Sequence, residues 1–392
     1  MQSKHLVMVI SSLRSGGAER VAVTMANALA QKMRVTVVCF SGMEDAFYPL
    51  SKKVSVVYLD LLAPQPWIGA AIKANLQRLG TIRKTVRNLG ADLVVSFMLE
   101  TNVLVILSQL GTKTPLIVCE HTDPGLVQHK LPWRVMRNLG YRLCDRLVVL
   151  NEYMKDWFEK AGNRWVWVIP NPIEVNIHSQ CQLDTPAPFI LGMGRLIPSK
   201  SFDQLIDVYA RSRPTFPNWQ LVIAGDGELK GALQRQIDEL GLTENVHLIG
   251  NTLTPHNWMK HADIFASTST IEAFPMAICE AMMVGLPIVA VAYNESAETL
   301  IPNTAGFVIS TENQSANAVS EHFADALMSL MSDRERRITM GKQAAKSVER
   351  YQVKHVISQW EKLFEELVPG FQSSGFQDSD FQDNDFQKAE SP

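Results

Sequence analysis

The chain has 392 residues, 46% hydrophobic and 20% charged. That length implies two or three domains at roughly 100–200 residues each, and the composition excludes a mainly disordered, collagenous or disulfide-stapled chain. A net charge of −3 argues against a globally basic nucleic-acid binder, and no apolar run approaches the ~18 residues that span a bilayer as a helix.

Short β-branched runs alternate with longer amphipathic stretches. In the first half the runs fall at residues 6–10, 35–40, 54–59, 92–97, 115–120, 145–150 and 165–169, with helical periodicity between most of them, as at 18–31 and 101–110. The first run is short for the apolar core of a signal peptide and reads as a strand. Residues 61–91 hold no acid but carry Lys73, Arg78, Arg83, Lys84 and Arg87. Ile68, Ile72, Leu76, Leu79, Ile82, Val86 and Leu89 recur there at three- and four-residue steps. This spacing predicts a basic amphipathic helix. Such a helix suits an anionic membrane surface or a lipid pyrophosphate; it equally suits a cover over a sheet, with its basic face in solvent. A second basic stretch, with Lys130, Arg134, Arg137, Arg142 and Arg146 around Trp133, admits the same two readings.

Residues 171–188 carry Pro172, Pro186 and Pro188 without a clear period and read as an interdomain linker. The strand pattern then restarts at 189–194, 220–225, 245–250, 262–267 and 287–292. Apolar strands alternating with helices predict parallel sheets covered on both faces. A last helical stretch, 351–367, ends at Pro369-Gly370, and the remainder repeats Phe-Gln every five residues. Its Asp378, Asp380, Asp383, Asp385 and Glu390 against Lys388 give −4, leaving +1 on the rest of the chain. This polar, acidic tail, residues 370–392, reads as disordered. Cys39, Cys119, Cys144, Cys181 and Cys279 are scattered with no Cys-x-x-Cys pair, which predicts reduced, mostly buried thiols in a cytoplasmic protein.

Four stretches carry candidate chemistry. In 262–292 a strand ends near Ser267, Pro275 stands where a helix begins, Gly285 closes it and Pro287 opens the next strand. Glu272 therefore lies before the helix and Glu280 in its second turn, flanking an N-terminus whose free N–H groups suit phosphate. Two carboxylates around an anion site suit a ligand with hydroxyls on both sides of a phosphate group. In 192–206, a glycine-bearing strand end leads to Arg195 and Lys200; two cations five residues apart on a loop can clamp a pyrophosphate. After the first strand, Ser15-Gly16-Gly17 permits close approach of backbone to an anion. It lacks G-x-G-x-x-G, so a nicotinamide-dinucleotide fingerprint is not supported. Glu120-His121 stands at the C-terminal end of a predicted parallel strand, where ligand sites lie in such sheets.

These motifs together resemble glycosyltransferase family 4, the retaining enzymes of the GT-B fold. The resemblance rests on E-A-F-P-x4-E-A-M-x-x-G-x-P from Glu272, where the family usually has Gly at the position of Ala273, and on G-R-L-x3-K from Gly194, where Ser201 replaces a frequent glycine. Residues 169–174 and 224–228 resemble the family's interdomain junction and donor-domain turn. The implied fold is α/β, two Rossmann-like doubly wound parallel-sheet domains facing a cleft. The implied domains are an acceptor-side domain at 1–172, a donor-binding domain at 173–350, a C-terminal helix at 351–369 packing back on the first domain, and the tail.

The resemblance also implies site roles. Glu272 approaches the donor sugar, Glu280 binds the ribose hydroxyls, and Arg195 and Lys200 hold the donor pyrophosphate. His121 orients the sugar or its acceptor. Gly16 and Gly17 line the cleft, and Phe274, Met276 and Ala277 complete the donor-binding stretch. The implied reaction transfers a hexose from a nucleoside diphosphate sugar, most often of UDP, to a lipid-linked saccharide or polysaccharide acceptor. The enzyme would work at the inner membrane face, as a cytoplasmic protein held peripherally by an anionic surface. No residue stands out as a covalent nucleophile, and the family offers a same-face route in which the departing phosphate helps deprotonate the acceptor. No cofactor, essential metal or nucleic-acid partner is expected; the Asp-x-Asp triplets at 378–380 and 383–385 lie in the tail, without a strand to preorganise oxygen ligands. A soluble small-molecule acceptor and a non-catalytic sugar-nucleotide-binding subunit are the alternatives.

Overall fold

The computed structural model describes residues 4–14, 16–43, 47–62, 68–125, 127, 130–177, 188–292, 294 and 297–371. The chain divides into two compact units, one of Met1–Pro172 with Tyr351–Pro392, the other Ile173–Arg350. Most of the linker stretch 171–188 and all but the first two residues of the tail lie outside the described residues.

The first unit holds β1 (His5–Ile10), β2 (Arg34–Cys39), β3 (Val54–Tyr58), β4 (Leu93–Phe97), β5 (Leu116–Cys119), β6 (Arg146–Val149) and β7 (Val166–Val168). The second holds β8 (Phe189–Met193), β9 (Gln220–Ala224), β10 (Val246–Gly250), β11 (Ile264–Ser267), β12 (Ile288–Val291) and β13 (Gly306–Ile309). Between them run α1 (Gly17–Leu29), α2 (Ile68–Leu89), α3 (Leu99–Gln109), α4 (Leu131–Gly140), α5 (Glu152–Lys160), α6 (Phe202–Ser212) and α7 (Lys230–Glu239). The remaining helices are α8 (Pro255–His261), α9 (Met276–Met283), α10 (Ala297–Leu300), α11 (Ala316–Ser332), α12 (Arg334–Val348) and α13 (Val353–Leu367). Twelve of these strands coincide within two residues with the apolar runs of the sequence. The thirteenth, β13, was not expected; it is only four residues long and opens on a glycine.

Both sheets are parallel throughout, in the orders β3-β2-β1-β4-β5-β6-β7 and β10-β9-β8-β11-β12-β13. Parallel strands covered by helices on both faces must be apolar on both, and β1 is buried at every residue. The order reverses between β1 and β4 in the first sheet and between β8 and β11 in the second. Loops leaving the C-terminal ends of two such strands diverge to opposite faces and open a crevice there. In the first sheet those loops carry Gly16-Gly17 and Met98; in the second they carry Arg195–Lys200 and Glu272. The strand order therefore brings the two donor-type motifs to one edge although 72 residues separate Lys200 from Glu272.

Three surface expectations change with the structure. The apolar stripe of α2 faces inward in its second half, with Ile82 and Val86 buried. Arg78 donates to the Leu61 carbonyl at 2.9 Å, and Arg83 to those of Ser108 and Leu110 at 3.2 and 2.9 Å. This part of α2 thus packs on α3, with Ile82 and Val86 turned away from solvent. Arg137, expected on a basic surface, is 3% exposed and stacks over Trp157 at 4.7 Å. Phe371, the first phenylalanine of the repeat, is buried, with its ring 5.7 Å from that of Phe364.

The last helix returns to the first unit. α13 packs on α1, and Lys32, in the turn after α1, donates to Glu361 at 2.8 Å with both side chains under 10% exposed. Removing one partner of a buried pair takes from the other the counter-charge that offsets its desolvation. Glu361→Ala should therefore lower the unfolding free energy of this unit by about 3–5 kcal/mol, read as a shift of its urea midpoint. The double variant Lys32→Met/Glu361→Leu should recover most of that loss, because an apolar pair of similar volume removes the uncompensated charge.

Candidate functional site

The site in the second unit begins with glycines. The strand end Gly194 meets the turn Ala224–Glu228 so closely that a Cβ on Gly225, at φ +144°, would strike the Gly194 carbonyl. A Cβ on Gly227 would lie 2.5 Å from the Leu196 carbonyl. The two loops exchange backbone bonds, Leu196 N–H to Asp226 O at 2.9 Å and Leu229 N–H to Leu196 O at 3.0 Å. The Gly-Arg-Leu loop is thereby braced from behind. Arg195 projects from it, exposed, and its guanidinium makes no hydrogen bond or ion pair among the described residues. The loop closes in a 3-10 turn, Pro198–Lys200, followed by Ser201 at φ +48°.

The loop after β11 is stitched to this one by hydroxyls. Thr268 donates to the carbonyls of Lys200 and Ser201 at 3.0 and 2.8 Å, and the Thr270 N–H donates to Ser199 O at 3.0 Å. Lys200 Nζ then meets Glu272 Oε1 at 2.5 Å, with side chains 21% and 17% exposed. The Glu272 carbonyl accepts from Asn294 at 3.0 Å. α9 follows with Pro275 at its N-cap and no capping side chain. Its first-turn N–H groups have no partner within the helix. Phe274, Met276 and Ala277 are half-buried around that opening.

Glu280, in the second turn of α9, is buried. Its side chain is 3% exposed and its Oε2 lies 3.5 Å from His256 Nε2. The structure therefore joins Lys200 and Glu272 directly and sets Glu280 in the same segment with a different, buried neighbour. Arg195 stands on the braced loop and takes no part in the ion pair.

The other two stretches lie in the first unit. Gly16 caps α1 and Gly17 opens it; the Glu19 side chain lies against Gly16, where a Cβ would collide with it. Space beside Gly17 is open. His121 follows β5, its ring 5.6 Å from that of Phe97. Beneath it is a buried polar chain that sequence reasoning missed. Ser96 donates to Asn102 at 2.7 Å, Asn102 to the Tyr141 hydroxyl at 3.0 Å, and Tyr141 to Glu120 at 2.8 Å. The Thr122 N–H donates to the other Glu120 oxygen at 3.0 Å. Burial pushes the Glu120 carboxyl up, offset in part by these bonds and by the charge of Arg137. Met98, between Phe97 and α3, holds φ +73°, a value that bulky residues rarely adopt. No spacing in the sequence marks Ser96, Asn102 or Tyr141; the polar run Thr268-Ser269-Thr270 directly after a strand was a usable signal.

Among the described residues no group of three or more His, Cys, Asp or Glu is placed to hold a metal ion. The described cysteines are free, with Cys39, Cys119 and Cys279 buried and Cys144 half-buried. Burial pushes the thiols of Cys119 and Cys279 well up and that of Cys144 to about 12, so they are poor nucleophiles.

Burial also pushes the His121 imidazole down to about 4. Its folded value lies below the ordinary ~6.5, so protonation favours the unfolded chain. The neutral ring's contribution is complete above about 6.5 and is lost as pH falls from there towards 4. An NMR titration should find His121 neutral at pH 6 with a midpoint near 4; a midpoint near 6.5 would contradict the enclosed ring.

Comparison with known proteins extends this geometry. Residues 15–177 match the family model described as Glycosyltransferase Family 4, and residues 175–347 match that of Glycosyl transferases group 1. A Campylobacter jejuni α-1,4-N-acetyl-D-galactosaminyltransferase, named for a diphospho-undecaprenol-linked saccharide, is 27% identical over 92% of this chain and 98% of its own. The amylovoran biosynthesis glycosyltransferase AmsD of Erwinia amylovora is 23% identical over 92% of this chain and 99% of its own. In fold, Anabaena Alr3699/HepE, solved in complex with UDP, superposes with a TM-score of 0.74 at 22% identity, covering 93% of this chain and 100% of its own. The two adjoining family matches, the paired parallel sheets and the motif order agree, and the chain belongs to the family 4 glycosyltransferases of the GT-B fold.

Proposed function

We propose that the protein transfers a hexose, with retained anomeric configuration, from a nucleoside diphosphate sugar to a lipid-linked saccharide or polysaccharide precursor. A UDP donor is favoured, since the fold neighbour Alr3699/HepE is solved with UDP. The acceptor class is taken from relatives named for an undecaprenol-linked saccharide and for amylovoran. The observation that carries the reading is the Lys200–Glu272 pair held before the open N-terminus of α9. A diphosphate at that point meets Lys200, the exposed Arg195 and the first-turn N–H groups, all of positive character. Glu272, on the other side of Lys200, faces the sugar that the diphosphate carries.

Breaking the anomeric bond places negative charge on the leaving phosphate, which these donors stabilise where they stand. No covalent protein nucleophile is invoked; the departing phosphate oxygen takes the acceptor proton on the same face. In the first unit, the neutral His121 is assigned to orient the acceptor by hydrogen bonding. The chemistry needs no metal in this scheme, since the cationic side chains supply the charge.

The acceptor partner is proposed to lie at an anionic membrane on the cytoplasmic side. α4 supports this. Leu131, Val135 and Leu139, at four-residue steps, and Leu143 just beyond are 68%, 48%, 60% and 59% exposed. Lys130, Arg134 and Arg142 are exposed around them. Apolar side chains flanked by cations suit insertion at the headgroup boundary of an anionic leaflet. Among the described residues no helix is long and apolar enough to cross a membrane.

Two measurements test this reading. With chelator present, release of nucleoside diphosphate from a panel of donor sugars should fall about 10²–10³-fold in Arg195→Ala; unchanged turnover would remove the mechanism. Val135→Asp/Leu139→Asp should stop the protein floating with phosphatidylglycerol liposomes while leaving donor hydrolysis intact. Flotation equal to that of the native chain would remove α4 from the interface.

A further inference from the structure

We propose that His256 is a positioning residue that sets the Glu280 carboxylate for ribose recognition and anchors it to the chain just after the boundary between the units. This rests on the reading that Glu280 takes the ribose hydroxyls of the donor.

Glu280 is set deep, 2% exposed overall, in the second turn of α9. A carboxylate side chain has three rotatable bonds, and a diol is recognised only if the plane of the carboxylate is fixed. The structure supplies a fixing group from another element. His256 is the second residue of α8, 4% exposed, with Nε2 3.5 Å from Glu280 Oε2. The tautomer follows from its other nitrogen. The Asn176 backbone N–H donates to Nδ1 at 3.0 Å, so Nδ1 is the acceptor and the ring hydrogen sits on Nε2, on the side of Glu280. The Asn176 carbonyl, 3.2 Å from Nδ1, would need a hydrogen on Nδ1; the backbone N–H can only donate, and its contact with Nδ1 decides between the two.

The result is a three-part relay of orientation: the Asn176 backbone, the His256 ring and the Glu280 carboxylate. Asn176 lies three residues past Ile173, where the second unit starts. The ring is therefore fixed by the strand of chain entering this unit as well as by α8. Held in this way, Glu280 meets a ribose with its orientation already set, so binding does not have to immobilise it.

A ring that only fills space would affect every ligand equally, so the test reads selectivity. Affinities for UDP and 2′-deoxy-UDP, and for GDP and 2′-deoxy-GDP, are measured by calorimetry on the full chain. In His256→Phe, affinity for the ribonucleotide should drop about tenfold toward that of the deoxy analogue, while affinity for the deoxy analogue stays within about twofold. His256→Gln, which keeps an N–H at similar reach, should restore part of the selectivity. Asn176→Pro, which removes the backbone donor, should lose part of it where Asn176→Ala, which keeps that donor, does not, and the pair gives the same readout should His256→Phe fail to fold. Equal weakening of both analogues, or no change in either, overturns the proposal. Glu280→Ala run beside them separates the two levels: selectivity lost there but kept in His256→Phe defeats the role of His256 alone. Selectivity kept in Glu280→Ala, or no binding of either ribonucleotide by the native chain, defeats the donor-site reading and this proposal with it.

Discussion

The ion pair between Lys200 and Glu272 exists because of strand order. β8 and β11 are neighbours in the sheet but 70 residues apart in sequence, and the order reverses between them. Each sends its following loop outward from the same edge. A lysine at the end of one loop and a glutamate on the other then fall within reach. The contact would be fragile if the loops were free, since two long side chains lose entropy on pairing. They are not free: Thr268 ties the second loop to the backbone of the first, and the Gly225–Gly227 turn supports the first from below. Preorganisation of that kind is what electrostatic stabilisation of a leaving group requires, because donors that must move at the moment of reaction lose much of their effect.

The same logic governs the first unit with different chemistry. His121 leaves the sheet two strands from β1, and the groups under it are polar and fully enclosed. A buried carboxylate such as Glu120 is costly unless its oxygens are bonded, and here Tyr141 and the Thr122 N–H serve one oxygen each. The Ser96–Asn102–Tyr141 chain extends that satisfaction inward. The outcome is a platform at a strand end, carrying a half-buried imidazole whose proton affinity is lowered by desolvation.

Much of this was legible in the sequence, and the remainder was hidden for identifiable reasons. Strand runs such as 6–10 and 92–97 are continuous apolar stretches bounded by polar residues, which parallel sheets demand. β13 escaped because four residues starting at Gly306 carry too little pattern. The spacing of Glu272, Pro275 and Glu280 is local and survives reading along the chain. The pairing of Glu272 with Lys200 depends on sheet order, which no local window contains. Nothing local marks His256, since its partners come from residues 176 and 280. Arg137 read as surface because periodicity cannot reveal that Trp157 and Glu120 draw it inward. The exposed leucines of α4 were similarly invisible until packing showed which side of that helix has no cover.

A crystal structure of the protein with an intact nucleoside diphosphate sugar bound tests the central claim most directly. The account predicts the diphosphate against Lys200 and the first turn of α9, the hexose beside Glu272 and the ribose at Glu280. A diphosphate bound elsewhere, with the Lys200–Glu272 pair undisturbed and remote from the ligand, would contradict it.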